Sequence, residues 1–289
     1  MAIALSEFEA LCGFRPLDEI MNFINIYPEF SNIINIDVKG QHVSLQSLFT
    51  RMIKQTPSNG QILSSTCILE NLRALVDRTK TSNINKTEVE SLFLRIYEMF
   101  PDDIGCLCVF FLNYHRLQPN EALIIKPGIL HAYISGDCIE CMATSDNVVR
   151  AGLTSKFCDV DTLLSILDFS EYPKDSYTQQ CSKPVFQPDY LESDRNSTQI
   201  NFMEHTYMYL TPFKEFAVYR IYLSVNDTEK INQLKQPSIL IVLSGQGNIK
   251  YNSINCDLAR GDIYYIFPNV DYIISCRQTD LSIFIAFTP

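Results

Sequence analysis

The sequence lacks a long apolar run and is short of positive charge. No stretch reaches the roughly 20 apolar residues that a helix needs to cross a bilayer, so we expect no membrane association. Lysine and arginine total 23 against 33 acidic residues, giving a net charge of -10. That balance argues against nucleic acid or an anionic membrane as a partner. The N-terminus has no basic region and carries Glu7 and Glu9 early, which argues against a signal peptide.

The ten cysteines are scattered and lie mostly in apolar segments. This distribution favours reduced thiols in a cytoplasmic protein rather than a disulfide framework. Cys138 and Cys141 have the C-x-x-C spacing of zinc sites and redox dithiols. On a strand, however, positions three apart point to opposite faces, so the two thiols could not share an ion. We expect buried free cysteines here.

The first part of the chain has helical patterning. At 289 residues, with 46% hydrophobic and 19% charged residues, the chain is long enough for two or more folded domains. Residues 5 to about 116 carry apolar positions at helical spacing, and Ser6–Glu9 and Thr87–Glu90 have the capping-box pattern. Asp103 is expected to cap a last helix that runs through Leu112. The pattern predicts a helical bundle.

The last part of the chain has short β-type runs instead. From about Ile200 the sequence predicts seven strands, with Gly245-Gln-Gly247 among the turns. Many short strands at this spacing suggest an antiparallel sandwich or jelly roll, and the Gly-x-Gly and Gly-Asp pairs resemble a cupin barrel. No histidine falls at the metal positions of that motif, so we expect a cupin-like domain without metal. A short helix from Val160 to Asp168, capped by Asp161, is expected to precede a long surface connection over 170–198.

The stretch from Leu117 to Asp161 holds the most chemically capable side chains. It contains His131, one of only four histidines, with Asp137, Glu140, Asp146, Arg150 and Lys156. Ser135-Gly136-Asp137 is a turn signal between two β-type segments. If Gly136-Asp137 is a two-residue hairpin loop, Tyr133 lies opposite Glu140, and both share a face with His131 and Cys138. A metal or proton-transfer site needs such an arrangement, although a loop of another length would turn Glu140 away.

The remaining basic residues and histidines give weaker evidence for a functional site. An anionic substrate would need a local basic pocket, for which Lys126, Arg150 and Lys156 are the candidates. His42, His115 and His205 lack neighbours at ligand spacing, and we interpret them as surface or packing residues.

From Gly128 to Val160 the sequence GILHAYISGDCIECMATSDNVVRAGLTSKFCDV resembles the signature region of type I mannose-6-phosphate isomerases. The opening MAIALSEFEALCGFRPLDEI and the Asp103-Ile-Gly-Cys segment also resemble this family. The resemblance implies a mixed α and β fold of cupin-like β jelly-roll domains with an inserted all-helical domain and an N-terminally truncated catalytic barrel. The implied division is a remnant of the catalytic domain at 1–14, a helical domain at 15–116, part of the catalytic domain at 117–199 and a C-terminal jelly roll at 200–289.

The resemblance implies a zinc-dependent enzyme that interconverts mannose 6-phosphate and fructose 6-phosphate through an enediol, feeding GDP-mannose and glycosylation precursors. It makes His131 a zinc ligand and Arg150 a catalytic residue. Glu140 is the candidate base, Asp146 supports it, and Lys156 is expected to contact the phosphate. The family binds one Zn²⁺ per chain through a Gln-x-His pair, a glutamate and a later histidine. By resemblance, only the last of these four ligands falls within this chain.

The alternative hypothesis is a non-catalytic truncated isoform or fragment that has lost zinc and activity. One protein histidine does not hold a zinc ion, which favours this alternative. Without the resemblance, Glu140 and Asp146 are more simply interpreted as surface carboxylates and Arg150 as an ion-pair partner. The family implies a monomer with a small-molecule sugar phosphate as its partner, whereas exposed sheet edges predict self-association for this chain.

Overall fold

The computed structural model describes residues 1–35, 43–55, 66–81, 86–145, 148–171, 178–180 and 204–289. Within these ranges, no helix combines the length and apolarity that crossing a bilayer requires. His42, Asp146 and most of the expected connection over 170–198 lie outside the described residues. The described chain forms a first β part, a helical part inserted into it, and a second β part.

The first β part has two antiparallel sheets that face each other. Its strands are β1 (Ala2–Ala4), β2 (Phe8–Phe14), β3 (Leu112–Leu117), β4 (Glu121–Leu123), β5 (His131–Ser135), β6 (Cys138–Glu140) and β7 (Thr178–Gln180). One sheet has the order β6-β1-β4-β7 and the other β3-β2-β5. A buried cluster that includes Ala2, Ala4, Ala10, Cys12 and Leu123 fills the space between them.

The helical part enters and leaves at neighbouring positions of one sheet. It runs from the end of β2 to the start of β3, where Phe14 is the ladder partner of Leu112. Its elements are α1 (Leu17–Ile26), α2 (Pro28–Ile33), α3 (Leu45–Ile53), α4 (Thr66–Thr81), α5 (Glu88–Met99), a 3-10 turn (Ile104–Leu107) and α6 (Cys108–Phe111).

Aromatic packing and caps explain why these segments are helical. The ring of Phe110 lies 5.2–5.4 Å from the rings of four other residues, Phe23, Tyr27, Phe30 and Phe93. The capping box predicted at Thr87 is confirmed, because Thr87 and Glu90 each accept a hydrogen bond from the other's backbone N–H. The cap predicted at Asp103 is also confirmed, with the Gly105 N–H donating to its carboxylate at 2.7 Å.

The helical prediction is wrong at both ends of its range. Residues 8–14 form strand β2 rather than a helix, and residues 112–117 form strand β3. The capping box expected at Ser6–Glu9 does not form, because the Ser6 hydroxyl accepts the Asp137 N–H and Glu9 binds side chains elsewhere. All seven residues of β2 are buried, so the strand has no polar face to reveal its period.

The second β part is built around two long bent strands. Its strands are β8 (Thr206–Tyr209), β9 (Ala217–Leu223), β10 (Thr228–Ile231), β11 (Ser238–Tyr251), β12 (Ile254–Ala259), β13 (Ile263–Ile266) and β14 (Tyr272–Phe287). The first half of β11 pairs with β13 and the end of β14, and its second half pairs with β12 and the start of β14. This pairing forms two layers around a core that includes Ile221, Leu240, Ile274 and Leu281.

Three details of the sequence-based prediction are corrected here. Gly245-Gln-Gly247 is not a turn, because it lies in the middle of β11 where the ladder to β14 shifts register. A Cβ on Gly245 would lie 2.7 Å from the Leu281 Cα, so this close approach requires glycine. The prediction omitted β10 and β12. The helix after the central stretch is α7 (Val160–Ile166), and its cap is Asp159 rather than Asp161.

The two β parts pack sheet on sheet. The outer face of β6-β1-β4 contributes Ile3, Ala122 and Ile139 to a cluster with Val218 and Phe284 of the second β part. Cys138 belongs instead to the cluster inside the first β part, and Cys141 to this outer cluster. The prediction that these two thiols point to opposite faces is confirmed.

The Glu9 carboxylate joins the helical part to the first β part. It is 8% exposed and accepts hydrogen bonds from Arg95 of α5 at 2.8 Å, from Tyr114 of β3 and from Ser135 of β5. Burial opposes the ionisation of Glu9, but these donors outweigh burial and hold its pKa at about 2. One ionised group thus fixes three strands and a helix relative to each other.

A second constraint is the corner at Gly136, between β5 and β6. Its φ is +98°, and a Cβ there would meet the carbonyl oxygen of Glu7 and lie 2.8 Å from the Phe8 Cα. The Leu5 N–H donates to the Asp137 carbonyl at 2.8 Å across the same corner. The corner between β5 and β6 therefore lies directly on the corner between β1 and β2.

We expect Glu9→Gln to lower the free energy of unfolding by about 2 kcal/mol at pH 7. Because the folded-state pKa is depressed from 4.5 to about 2, this stabilisation is complete above pH 4.5 and is lost as the pH falls toward 2. Denaturant unfolding at pH 7, 5 and 3 should show less acid dependence in Glu9→Gln than in the wild type. Glu7→Gln, which alters an exposed pair with Arg116, is the control and should retain the wild-type dependence. Equal acid dependence in Glu9→Gln and wild type would contradict the expectation.

We expect Gly136→Ala to destabilise the fold by about 3 kcal/mol or more, because strain and backbone overlap add together. Gly261→Ala separates the two effects, since Gly261 has a φ of +93° but no atom within 4 Å of the place that an added methyl group would take. Strain alone should cost about 1 kcal/mol there. Denaturant unfolding of the two variants measures the difference, and equal losses would show that the corner contact is unimportant.

Candidate active site

A cleft of about 860 Å³ lies where the first β part, the helical part and the second β part meet. Most of its lining is apolar, from residues such as Leu11, Ile96, Leu163 and Phe216. Its polar lining side chains include Lys126, His131, Tyr133, Glu140, Ser145, Arg150 and Glu215. The structure therefore brings His131, Glu140 and Arg150, three of the predicted site residues, to one cleft.

His131 begins strand β5 and has a defined tautomer. Its Nδ1 lies 2.9 Å from the Ile129 carbonyl oxygen, which can only accept, so Nδ1 carries the proton. In the neutral imidazole with this tautomer, Nε2 keeps the lone pair, as a metal ligand or a proton acceptor requires. The imidazole is solvent-exposed, and its centroid lies 5.7 Å from that of the Tyr133 ring.

Tyr133 and Glu140 form the polar pair next to His131. The Tyr133 hydroxyl donates to the Glu140 carboxylate at 2.7 Å. Burial, followed by this hydrogen bond, raises the pKa of Tyr133 well above its usual range, so the phenol remains a donor. The sequence placed Tyr133 opposite Glu140 on the face that carries His131, but Tyr133 was not among the predicted catalytic, substrate-binding or metal residues.

The hairpin expected between β5 and β6 is wrong. β5 pairs with β2 and β6 pairs with β1, and the two ladders belong to different sheets. The chain crosses a corner at Gly136 instead of folding back on itself. Tyr133 and Glu140 still meet, because the corner turns both side chains toward the cleft.

Arg150 lies on a segment with neither helical nor strand structure. Its guanidinium donates to the Val148 carbonyl at 3.3 Å. Among the described residues, no carboxylate oxygen lies within 4.0 Å of it. The described part of the chain thus holds this guanidinium at the cleft without an ion pair.

The other predicted residues lie elsewhere. Lys156 is exposed and does not line the cleft, whereas Lys126 does. Asp146 is outside the described residues. His115 is buried against the Cys12 carbonyl, and His205 lies 3.7 Å from Asp227 in the second β part. Glu215 joins the cleft from far along the chain, where no local signal points to it.

The described residues do not complete a metal site. No group of three or more histidine, cysteine, aspartate or glutamate side chains among them is arranged to hold a metal ion. His131 has the tautomer of a ligand, but a catalytic zinc requires three protein ligands.

Comparison with known proteins first establishes the class of fold. The family model of the phosphomannose isomerase type I helical insertion domain matches residues 25–112. A mannose 6-phosphate isomerase from Salmonella typhimurium, solved bound to its substrate and a zinc atom, matches with a TM-score of 0.73 at 21% identity, covering 99% of this chain and 65% of that one. The fold is thus the expected mixed α and β class, with cupin-like jelly rolls and an inserted helical domain.

Sequence relatives then establish the family. The mannose-6-phosphate isomerase of Emericella nidulans is 34% identical over 306 residues, covering 96% of this chain and 65% of that protein. That of Saccharomyces cerevisiae is 34% identical over 314 residues, covering 99% and 67%. The chain belongs to the type I phosphomannose isomerase family, and the resemblance noted in the sequence is confirmed. It spans about two thirds of the length of these relatives.

Proposed function

We propose that this chain acts in the interconversion of mannose 6-phosphate and fructose 6-phosphate, at the cleft that holds His131, Glu140 and Arg150. The observation that carries the proposal is that these three residues and Tyr133 line one cleft. The relatives of this chain are named mannose-6-phosphate isomerase. With this function goes the supply of GDP-mannose and glycosylation precursors. We also propose a cytoplasmic protein whose partner is the sugar phosphate. The intact family is proposed to be monomeric, and self-association is proposed for this chain.

The isomerisation moves a proton between adjacent carbons through an enediol. It needs a base at those carbons and positive charge near the developing oxyanion and the phosphate. Glu140 is the proposed base, held in place by the Tyr133 hydroxyl. Arg150 is the proposed catalytic cation, and the lack of a described carboxylate beside it leaves its charge for the substrate. Asp146 is proposed to support Glu140.

The phosphate contact is proposed for Lys156, with Lys126 as a second cation for the same anion. Lys126 lines the cleft, which supports its inclusion. Lys156 is exposed, and its backbone N–H donates to the Thr154 hydroxyl at 3.1 Å. Of the two lysines, only Lys126 lines the cleft, so the proposed Lys156 contact requires its exposed side chain to reach the phosphate from outside the cleft lining.

Zinc is part of the proposed family chemistry, where it polarises the sugar oxygens when bound. His131 fits the role of one ligand, because its Nδ1 is fixed by the Ile129 carbonyl and its side chain lines the cleft. The described residues provide no complete ligand set, so we derive no step through the metal.

The second candidate function is a non-catalytic protein that keeps the fold without turning over substrate. The absence of a metal-ligand group of three among the described residues favours it. Such a protein would keep the cleft and its cations, and so retain sugar-phosphate binding without catalysis.

Isomerase activity of this chain with added zinc, assayed in both directions, tests the proposal. We expect activity that a chelator abolishes, and losses of about 100-fold or more in His131→Ala, Glu140→Gln and Arg150→Ala. His205→Ala is the matched control, because His205 lies outside the cleft and should retain activity. No activity with zinc, together with sugar-phosphate binding by calorimetry, would overturn catalysis and support the second candidate.

A further inference from the structure

The direction of Arg150 depends on a segment that no sheet or helix holds. Residues 148–154 form neither element. Val149, Ala151 and Leu153 pack against the core of the helical part. Arg150 lies between two of these packed residues, and all four residues line the cleft.

One carboxylate of the helical part fixes the end of this segment. Asp103 accepts the Gly105 N–H at 2.7 Å and the Thr154 N–H at 3.4 Å. The N–H of Leu153 also stabilises its charge. Asp103 thus caps the 3-10 turn of its own element and binds the Thr154 amide at the end of the Arg150 segment.

The backbone around this carboxylate is close and strained. A Cβ on Gly105 would lie 2.8 Å from the Leu153 nitrogen, and one on Gly152 would lie 2.9 Å from the Gly105 Cα. Leu153 has a φ of +55°, a conformation that a leucine adopts only when its surroundings enforce it. Backbone amides in such a turn favour an anion, and here the Asp103 carboxylate accepts the Thr154 amide.

We propose that Asp103 is a positioning residue for Arg150. Its carboxylate holds the turn at Gly152–Thr154, and the turn holds the guanidinium at the cleft. The helical part thereby contributes to the site, because one of its carboxylates determines the position of Arg150. The expected effect of Asp103 on catalysis rests on the proposed function. The claim that Asp103 holds the Arg150 segment in place does not.

Asp102 provides a matched control. It is the adjacent aspartate, and its carboxylate binds Arg73 at 2.6 Å and Tyr97 at 2.7 Å within the helical part. Asp102→Asn therefore removes a comparable charge without touching the Arg150 segment. Asp103→Asn separates the two roles of this side chain. Asparagine caps a helix as well as aspartate does, but its single acceptor oxygen cannot bind both the Gly105 and the Thr154 amide as the two carboxylate oxygens do.

The activity arm of the test is a double-mutant cycle. We expect Asp103→Asn to lower kcat/KM by about tenfold or more through kcat, and Asp102→Asn to change it less than about twofold. In an Arg150→Ala background, Asp103→Asn should cause no further loss, because its effect passes through Arg150. An equal loss in both backgrounds would overturn the proposal.

The structural arm does not need activity. Hydrogen exchange should speed up at the Leu153 and Thr154 amides in Asp103→Asn but not in Asp102→Asn, and phenylglyoxal should modify Arg150 faster in Asp103→Asn alone. If the wild type is inactive but these changes occur, the positioning role stands and the proposed function falls. Wild-type exchange and modification in Asp103→Asn would overturn the positioning role, whatever the activity.

Discussion

The structure depends on a bent two-stranded ribbon. Residues 2–14 and 131–140 run antiparallel, and both cross from one sheet to the other at the same corner, where Gly136 lies on Glu7 and Phe8. The backbone contact there leaves no room for a side chain. Because β5 and β6 lie on either side of this corner, His131 and Tyr133 belong to one sheet and Glu140 to the other. The polar end of the cleft is therefore formed by a change of direction in the backbone.

Two buried or half-buried carboxylates connect the helical part to this framework. Glu9 binds Arg95 of α5, and Asp103 binds the Thr154 amide of the segment after Gly152. The two groups experience opposite balances: donors outweigh burial at Glu9 and hold its pKa down, while burial outweighs donors at Asp103 and raises its pKa. Neither carboxylate lines the cleft, yet each contacts an element that does.

The sequence predicted those features of the fold that depend on residues close together in the chain. The caps at Thr87 and Asp103 and the helices between them follow from patterns within a few residues. The same type of pattern failed at Ser6–Glu9, because Arg95 provides a distant partner for Glu9. The β5–β6 hairpin failed because a turn signal does not specify whether two strands pair or cross a corner. The candidate site was found through its motif, whereas the link from Asp103 to Thr154 joins residues far apart in the chain and left no local signal.

The helical part leaves β2 at Phe14 and rejoins the sheet at Leu112, and these two residues are ladder partners. Topologically, the insertion is an enlarged connection between adjacent strands, so the sheet itself does not depend on its length or content. The connectivity alone would therefore allow a different helical segment to replace this one. The contacts of Arg95 and Asp103 remove that freedom, because a substitute would have to present a cation to Glu9 and a carboxylate to the Arg150 segment. Variation in the helices is therefore constrained by the cleft, even though the chain could accommodate many different insertions at this junction.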